Sequence, residues 1–201
     1  MNTERLDRQI AFILEIDKLK SVLRRSYLLN ENRRENTAEH SWHLSVMALP
    51  LAEHASDDVN TLRVLKMLLV HDIVEIDSGD TYIYDTAGND TKVAREQEAA
   101  QRIFGLLPDD QSAELQELWQ EFEARETPEA KFAAALDRLM PLLHNYHTQG
   151  RSWREHGITK EQVLRLNRHI ADGSQSLWEY AEALINDAAA KGYLTDKRET
   201  K

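Results

Sequence analysis

The stretch Leu62-Arg63-Val64-Leu65-Lys66-Met67-Leu68-Leu69-Val70-His71-Asp72 is apolar over most of its length and ends on a histidine and a carboxylate. It lies within residues 59–75, where the apolar pattern predicts a helix with few polar positions and hence a central place in the fold. A carboxylate at the end of such a helix is costly to bury unless it is paired or binds a metal. The stretch therefore predicts a helical core with a charged site at its margin.

The remainder of the chain also has the pattern of a helical protein. Seven glycines and four prolines among 201 residues are few for a turn-rich β fold, and no segment alternates apolar and polar residues over the length of a strand. Thr37 resembles the N-cap of a helix that would place Trp42, Val46, Leu49 and Ala52 on one side. The predicted helices cover residues 4–23, 38–55, 59–75, 91–105, 108–125, 127–146, 159–171 and 174–191.

Three segments, residues 24–35, 77–90 and 150–157, have the composition of loops. No internal repeat or low-complexity linker divides the chain. We therefore expect one all-α domain over residues 1–201, a single helical bundle. Its core would span about residues 10–171, and a C-terminal helix would follow at about 174–191.

Composition and charge argue against several classes of function. The net charge of −10 argues against a surface that binds the phosphate backbone of a nucleic acid, and a small anionic substrate would need its own local positive charge. The absence of cysteine excludes disulfides and thiolate metal sites and fits a reducing compartment. No apolar run is long enough for a membrane span, and the N-terminus lacks a signal-peptide core. We expect a cytoplasmic protein without a membrane partner.

Two further residues join the His71-Asp72 pair as candidate metal ligands. His40 follows a polar segment, and Asp137 lies inside the apolar run of residues 132–140. A buried ion pair of Asp137 with Arg138 is the ordinary alternative, but two acids in core helices are satisfied together by one cation. The mixed nitrogen and oxygen set suits Mn²⁺, Co²⁺, Ni²⁺, Fe²⁺ or Zn²⁺ better than Ca²⁺, with Mg²⁺ also possible.

Two acidic residues are candidates for the chemistry. Glu75 comes four residues after His71 and three after Asp72, spacings that share one face of a helix. Asp80 follows Gly79 just beyond that helix. A solvated carboxylate at a helix end and an aspartate in a turn are the alternatives for the two positions.

An arginine-rich stretch precedes His40 and contains Arg24, Arg25, Arg33 and Arg34. Such a charge run is usually a solvated face. In an acidic protein and near a metal site, its guanidinium groups could instead bind a phosphate group, whose geometry they match.

Taken together, these residues resemble the HD-domain superfamily of metal-dependent phosphohydrolases, and more closely its small 5′-deoxynucleotidase branch. The resemblance covers roughly residues 10–160. Its main motifs are Arg34-Glu35-Asn36-Thr37-Ala38-Glu39-His40-Ser41 and Leu69-Val70-His71-Asp72-Ile73-Val74-Glu75. Supporting motifs lie at residues 19–22, 78–80, 97–98, 106–108, 118–119, 129–132 and 136–137.

The resemblance implies a role for each candidate. The metal ligands would be His40, His71, Asp72 and Asp137. Glu75 would orient or activate the attacking water, and Asp80 would assist protonation of the leaving oxygen. Arg24 or Arg25 would contact the substrate.

The resemblance also implies one metal ion and a homodimer. No histidine occurs between Asp72 and Asp137, whereas dinuclear members of the superfamily need extra histidine ligands in that interval. The apolar first and last helices could supply a dimer interface. The bacterial pattern has a tryptophan after its substrate arginine, where this chain has Arg25 or Ser26. It assigns no role to residues 151–157.

The expected function is removal of the 5′-phosphate from deoxynucleoside or other nucleoside monophosphates. Hydrolysis of another nucleotide phosphoester, a triphosphate or a cyclic nucleotide, is the enzymatic alternative. A metal-bound helical regulatory module without turnover is the alternative from another class, although it would not need Glu75 and Asp80.

Overall fold

The computed structural model describes residues 3–30, 32–84 and 86–195, without the side chains of residues 86–90. Helices dominate this part of the chain, and the expectation of an all-α fold is confirmed. The α-helices are α1 (Thr3–Ile16), α2 (Thr37–Leu51), α3 (Thr61–Val70), α4 (Glu75–Ser78), α5 (Thr86–Phe104), α6 (Asp109–Ala124), α7 (Pro128–His147), α8 (Arg151–Glu155), α9 (Lys160–Asn167), α10 (Ile170–Gly173) and α11 (Gln175–Ala190). Short 3₁₀ helices follow α1 at Asp17–Ser21 and α2 at Ala52–His54.

The centre of the core is α7. Thr127 caps its N-terminus by accepting a hydrogen bond from the backbone of Ala130, and Pro128 occupies the first turn, where a missing N–H costs nothing. Helix α10 approaches it closely because Gly173 has no side chain: a Cβ atom on Gly173 would lie 2.3 Å from the Lys131 carbonyl oxygen of α7. The helix buries Ala130, Phe132, Ala133, Ala134, Ala135, Leu136, Leu139, Met140 and Leu142.

The prediction that residues 59–75 form one central helix is wrong in two respects. Leu62 and Leu69 of α3 are 64% and 51% exposed, so this helix packs with one face only. The α-helix also ends at Val70, and a turn separates it from the short α4. This break places His71 and Asp72 in the turn rather than on a continuous helix.

The predicted loop at residues 24–35 contains a small antiparallel hairpin. Strand β1 (Leu23–Tyr27) pairs with β2 (Arg34–Asn36), and Leu23 lies opposite Asn36. The strands are short and rich in arginine, so they lack the apolar alternation that marks a strand in a sequence. The first α-helix ends at Ile16 and a 3₁₀ helix follows at Asp17–Ser21, whereas the predicted helix ran to residue 23.

Several other predicted element boundaries differ from those in the structure. The helix expected at 91–105 begins at Thr86, the 150–157 loop contains α8, and the helix expected at 159–171 divides into α9 and α10. The side of α2 that bears Trp42, Val46 and Leu49 is exposed, while Leu44 and Ala48 face the core. None of the helices in the described ranges combines the length and apolar character of a membrane span.

The N-terminus of α2 is capped by Asn36 rather than by Thr37 as predicted. The Asn36 side chain accepts a hydrogen bond from the Glu39 backbone N–H at 3.0 Å, and Glu39 Oε2 accepts from the Asn36 N–H at 3.1 Å. This capping box satisfies two N–H groups that the helix leaves unpaired. It also fixes the first turn of the helix that bears His40.

Replacement of Asn36 by alanine should lower the free energy of unfolding by about 1 kcal/mol, because the cap to the Glu39 backbone is lost. Urea denaturation followed by far-ultraviolet circular dichroism measures the change. Asn36→Asp is the matched control, since aspartate caps as well as asparagine. Equal stability of the alanine and aspartate variants would contradict the role of the cap.

Candidate metal centre

Three separated parts of the chain bring the four candidate ligands together. His40 comes from α2, His71 and Asp72 from the turn after α3, and Asp137 from α7. Asp137 Oδ1 lies 3.0 Å from His40 Nε2 and 3.9 Å from His71 Nε2. Asp72 Oδ2 lies 3.1 Å from His71 Nε2 and 3.8 Å from His40 Nε2. These spacings suit donor atoms that share one cation, and both rings are buried.

Both imidazoles present Nε2 to the centre because their other nitrogens face acceptors. His71 Nδ1 lies 3.0 Å from the Leu68 carbonyl oxygen, to which its N–H donates. His40 Nδ1 faces the buried carboxylate of Glu35 at 3.5 Å. An acceptor behind the ring fixes the tautomer whose inner nitrogen carries a lone pair, as metal-binding histidines require. His71 Nε2 is a buried atom without a hydrogen-bond partner in the described residues, so a ligand position is available there.

The electrostatics of the centre favour a cation. Burial acts to lower the pKa of His71, but the charges of Asp72 and Asp137 outweigh it and raise the pKa to about 10. Burial acts to raise the pKa of Asp137, and its contacts with His40 and His71 outweigh that and hold the pKa well below its usual range. The site therefore strongly stabilises positive charge. A divalent ion of the kind that accepts imidazole and carboxylate fits this donor set.

Glu75 lies beside the ligands without being needed to complete them. Its carboxylate is buried, and the Thr37 hydroxyl donates to its Oε2 at 2.9 Å. Burial, together with the nearby charge of Asp72, raises the pKa of Glu75 well above its usual value. The Thr37 bond fixes the orientation of the carboxylate.

Asp80 is a further, largely buried carboxylate beside the ligands and Glu75. It follows Gly79, whose φ of +73° is readily adopted by glycine and turns the chain back towards the centre. Burial raises the pKa of Asp80, and Arg24 opposes the shift.

The structure separates the two candidate arginines. Arg24 points inward, with Nη1 at 2.8 Å from Asp72 Oδ2, 3.8 Å from Glu75 Oε2 and 3.9 Å from Asp80 Oδ1. Arg25 is exposed and lines only the margin of the cavity. This follows from β1, where successive side chains point to opposite faces. Arg33 pairs with Glu39 outside the centre.

Asp72 and Asp137 of the centre line a cavity of about 130 Å³, together with Glu75, Asp80 and Arg24. Several lining residues were not identified from the sequence. Arg138 and Asn145 on α7 belong to this group, and the spacing of eight residues between Asp137 and Asn145, which places both on one helix face, is a signal that could have found Asn145. The other unforeseen lining residues are Thr81, Tyr82, Ile83, Tyr84, Lys92, Pro141, Leu142 and Asn167.

The segment at residues 151–157 also contributes to the cavity. Ser152 and Trp153 of α8 line it. The same helix is tied to the hairpin, since Arg151 lies over the Tyr27 ring at 3.7 Å and the Tyr27 hydroxyl donates to Glu155. This segment, which had no assigned role, therefore closes one side of the cavity.

Known proteins resemble this chain in sequence and in structure. A protein from Magnetospirillum magnetotacticum MS-1, described as a predicted metal-dependent phosphohydrolase, superposes with a TM-score of 0.91 at 55% identity, covering 94% of this chain and 95% of that one. The human 5′-deoxynucleotidase HDDC2 is 35% identical over 135 residues, which are 67% of this chain and 65% of the human protein. The fission yeast (Schizosaccharomyces pombe) 5′-deoxynucleotidase hdd1 is 27% identical over 98% of this chain and 91% of its own length.

The family comparison covers most of the structure described above. The sequence model of the HD domain matches residues 16–178, which include His40, the His71-Asp72 pair and Asp137. The resemblance inferred from the motifs is confirmed. The chain therefore belongs to the HD-domain family.

Proposed function

We propose that this protein is a metal-dependent phosphohydrolase that removes the 5′-phosphate from deoxynucleoside or other nucleoside monophosphates. The observation that carries the proposal is the convergence of His40, His71, Asp72 and Asp137 beside a cavity that Asp72, Asp137 and Arg24 line. The names of the human and yeast relatives support the same substrate class. The match spans just under two thirds of the human relative's length, so the activity is inferred for the shared part.

The four ligands would hold one divalent ion, of Mn²⁺, Co²⁺, Ni²⁺, Fe²⁺ or Zn²⁺, with Mg²⁺ also possible. When bound, such an ion supplies Lewis acidity and lowers the pKa of coordinated water. The donor atoms of His40, His71 and Asp72 lie within 4.8 Å of one another and Asp137 Oδ1 lies 3.0 Å from His40 Nε2, a spacing that fits one ion held by this set. The remaining steps belong to the side chains around the ligands.

Glu75 orients the attacking water and accepts its proton. The Thr37 hydroxyl holds the carboxylate in place, and a nearby divalent charge offsets the negative neighbours that raise its pKa. The water oxygen forms a new bond to phosphorus as the bond to the 5′-oxygen breaks. Asp80, whose raised pKa favours the protonated form, donates a proton to that leaving oxygen. The products are the nucleoside and inorganic phosphate.

Arg24 is the substrate-binding arginine in this proposal, and Arg25 a secondary contact at the cavity margin. The guanidinium of Arg24 is flanked by three ligand or catalytic carboxylates, so it stands close to any phosphate that binds there. A fixed cation stabilises charge on the transferring phosphoryl group. It also offsets the repulsion that a protein of charge −10 exerts on an anion.

A second copy of the chain is the proposed protein partner. The face of α1 that bears Leu6, Ile10, Ile13 and Leu14 is exposed, and with Leu69 it borders an apolar groove. An exposed apolar face of this kind is typical of an interface. The homodimer that the family resemblance implies agrees with this assignment.

Purified protein, stripped of metal and reloaded with Mn²⁺ or Co²⁺, should release phosphate from deoxynucleoside monophosphates. A panel of deoxy- and ribonucleoside monophosphates, triphosphates and cyclic nucleotides, assayed for free phosphate, identifies the substrate class. Metal-stripped protein is the control. Turnover confined to triphosphates or cyclic nucleotides would support the other enzymatic reading, and no turnover in the panel would favour a regulatory module.

Each of His40→Ala, His71→Ala, Asp72→Ala and Asp137→Ala should lower bound metal and abolish phosphate release, because each removes one donor atom. Elemental analysis after gel filtration measures metal per chain. His54→Ala is the matched control, since its side chain is 44% exposed and outside the cluster. Full metal content in Asp137→Ala would contradict the ligand set.

Glu75→Gln should retain metal while lowering kcat by on the order of 10²–10⁴-fold, the usual cost of a lost acid–base group. Metal content and steady-state kinetics on one variant preparation separate ligation from chemistry. Asp77→Asn is the control, because Asp77 is on the same short helix and pairs with Arg102 outside the cavity. Wild-type turnover in Glu75→Gln would remove Glu75 from the mechanism.

A further inference from the structure

Glu35 is a buried carboxylate that no step of the proposed reaction uses. It lies on β2, is 1% exposed, and faces two histidine rings from different helices. Its Oε2 lies 3.5 Å from His40 Nδ1 and 3.9 Å from His144 Nδ1. All three atoms are buried, and among the described residues none of them has a hydrogen-bond partner. Three buried polar atoms therefore point at one another across slightly long gaps.

A shift of less than about 1 Å would turn both gaps into normal N–H···O bonds. Buried polar groups rarely stay unpaired, because a hydrogen bond lost in the interior is not replaced by one to water. An ionised carboxylate can only accept, so the two rings must carry their protons on Nδ1 to donate to it. His40 is then left with its lone pair on Nε2, the nitrogen that faces Asp137 at 3.0 Å.

We propose that Glu35 is a positioning residue that fixes the tautomer and orientation of His40 for metal binding, and that His144 holds Glu35 from the opposite side. The inference rests on the proposed ligation by His40, not on the identity of the substrate. Glu35 touches neither the cavity nor any other ligand. Its effect reaches the metal through the His40 ring alone.

Two other roles for Glu35 predict different behaviour. As a counter-charge for Arg24, whose Nε lies 4.0 Å from Oε2, it would contribute to stability whether or not metal is present. As a ligand of a second cation with His43 and His144, whose donor atoms lie within 4.8 Å of one another, it would add a second binding site. Glu35 Oε2 lies closer to His40 Nδ1, at 3.5 Å, than to Arg24 Nε, and this favours the positioning role.

Glu35→Gln separates these roles. Its amide keeps the shape, but an NH₂ group facing His40 Nδ1 favours the tautomer with the proton on Nε2, which cannot bind metal. We expect Mn²⁺ or Co²⁺ affinity to fall by about 10–100-fold, as for other lost partners of ligating histidines. The measurement is a competition titration against a chelator on metal-stripped protein, paired with the melting temperature of the same metal-free sample.

Glu39→Gln is the matched control, because Glu39 precedes His40 directly but faces Arg33 and the Asn36 backbone. It should keep wild-type affinity. His144→Phe replaces the imidazole by an apolar ring and removes the donor to Glu35, and it should lower affinity by about 3–10-fold. If Glu35→Gln does not fold, the His144→Phe variant provides the test instead. Unchanged metal affinity in His144→Phe would then overturn the proposal.

Three results would overturn the inference. Wild-type metal affinity in Glu35→Gln would remove the positioning role. A loss of metal-free stability with unchanged affinity would assign Glu35 to Arg24. A stoichiometry of two ions in the wild type that falls to one in Glu35→Gln would make Glu35 a ligand. This test measures metal binding, so it remains valid even if the protein releases no phosphate in the nucleotide panel. Full metal content in His40→Ala, in contrast, would show that His40 is not a ligand and would remove the premise of the inference.

Discussion

The architecture depends on one constraint: several buried carboxylates must share a small amount of positive charge. Asp72, Glu75, Asp80 and Asp137 each have an oxygen within 4.0 Å of a guanidinium nitrogen of Arg24. Arg24 carries one positive charge for four acids, and the other cations at the centre are His71, whose pKa is raised, and Arg138, whose Nε lies 3.8 Å from Asp137 Oδ2. Protonation relieves part of the excess, which the raised pKa values of Glu75 and Asp80 express, and a divalent cation would relieve the rest.

The irregular parts of the fold follow from that constraint. The chain breaks after Val70, so His71 and Asp72 can both turn towards the centre, which a continuous helix at i and i+1 would not allow. The hairpin brings Arg24 inward on one strand and Glu35 inward on the other. The regular helices supply the rigid core, and the departures from regularity supply the site.

The sequence predicted those features that depend on local patterns. Helices α6, α7 and α11 begin and end within one residue of their predicted bounds, and the four residues were proposed as ligands because acids in or beside apolar runs need a counter-charge. The hairpin could not be predicted, since its strands are stabilised by long-range contacts such as Arg151 over Tyr27. The sequence indicated no separate role for Glu35, because its partner His144 is more than 100 residues away along the chain. The cap at Asn36 differs from the prediction by one residue, which is the usual accuracy for a helix end.

The length of the cavity follows from α7. Asp137 and Asn145 lie eight residues apart, or about 12 Å along a helix axis, and both line the same cavity. That span is sufficient for an elongated small molecule with its anionic end at Asp137 and its other end near Asn145. At the far end, Asn145 donates to the Pro141 carbonyl oxygen at 2.9 Å, which leaves its own oxygen as the free acceptor. Ser152 and Trp153 of α8 line the same cavity, so the segment at residues 151–157 contributes to its shape.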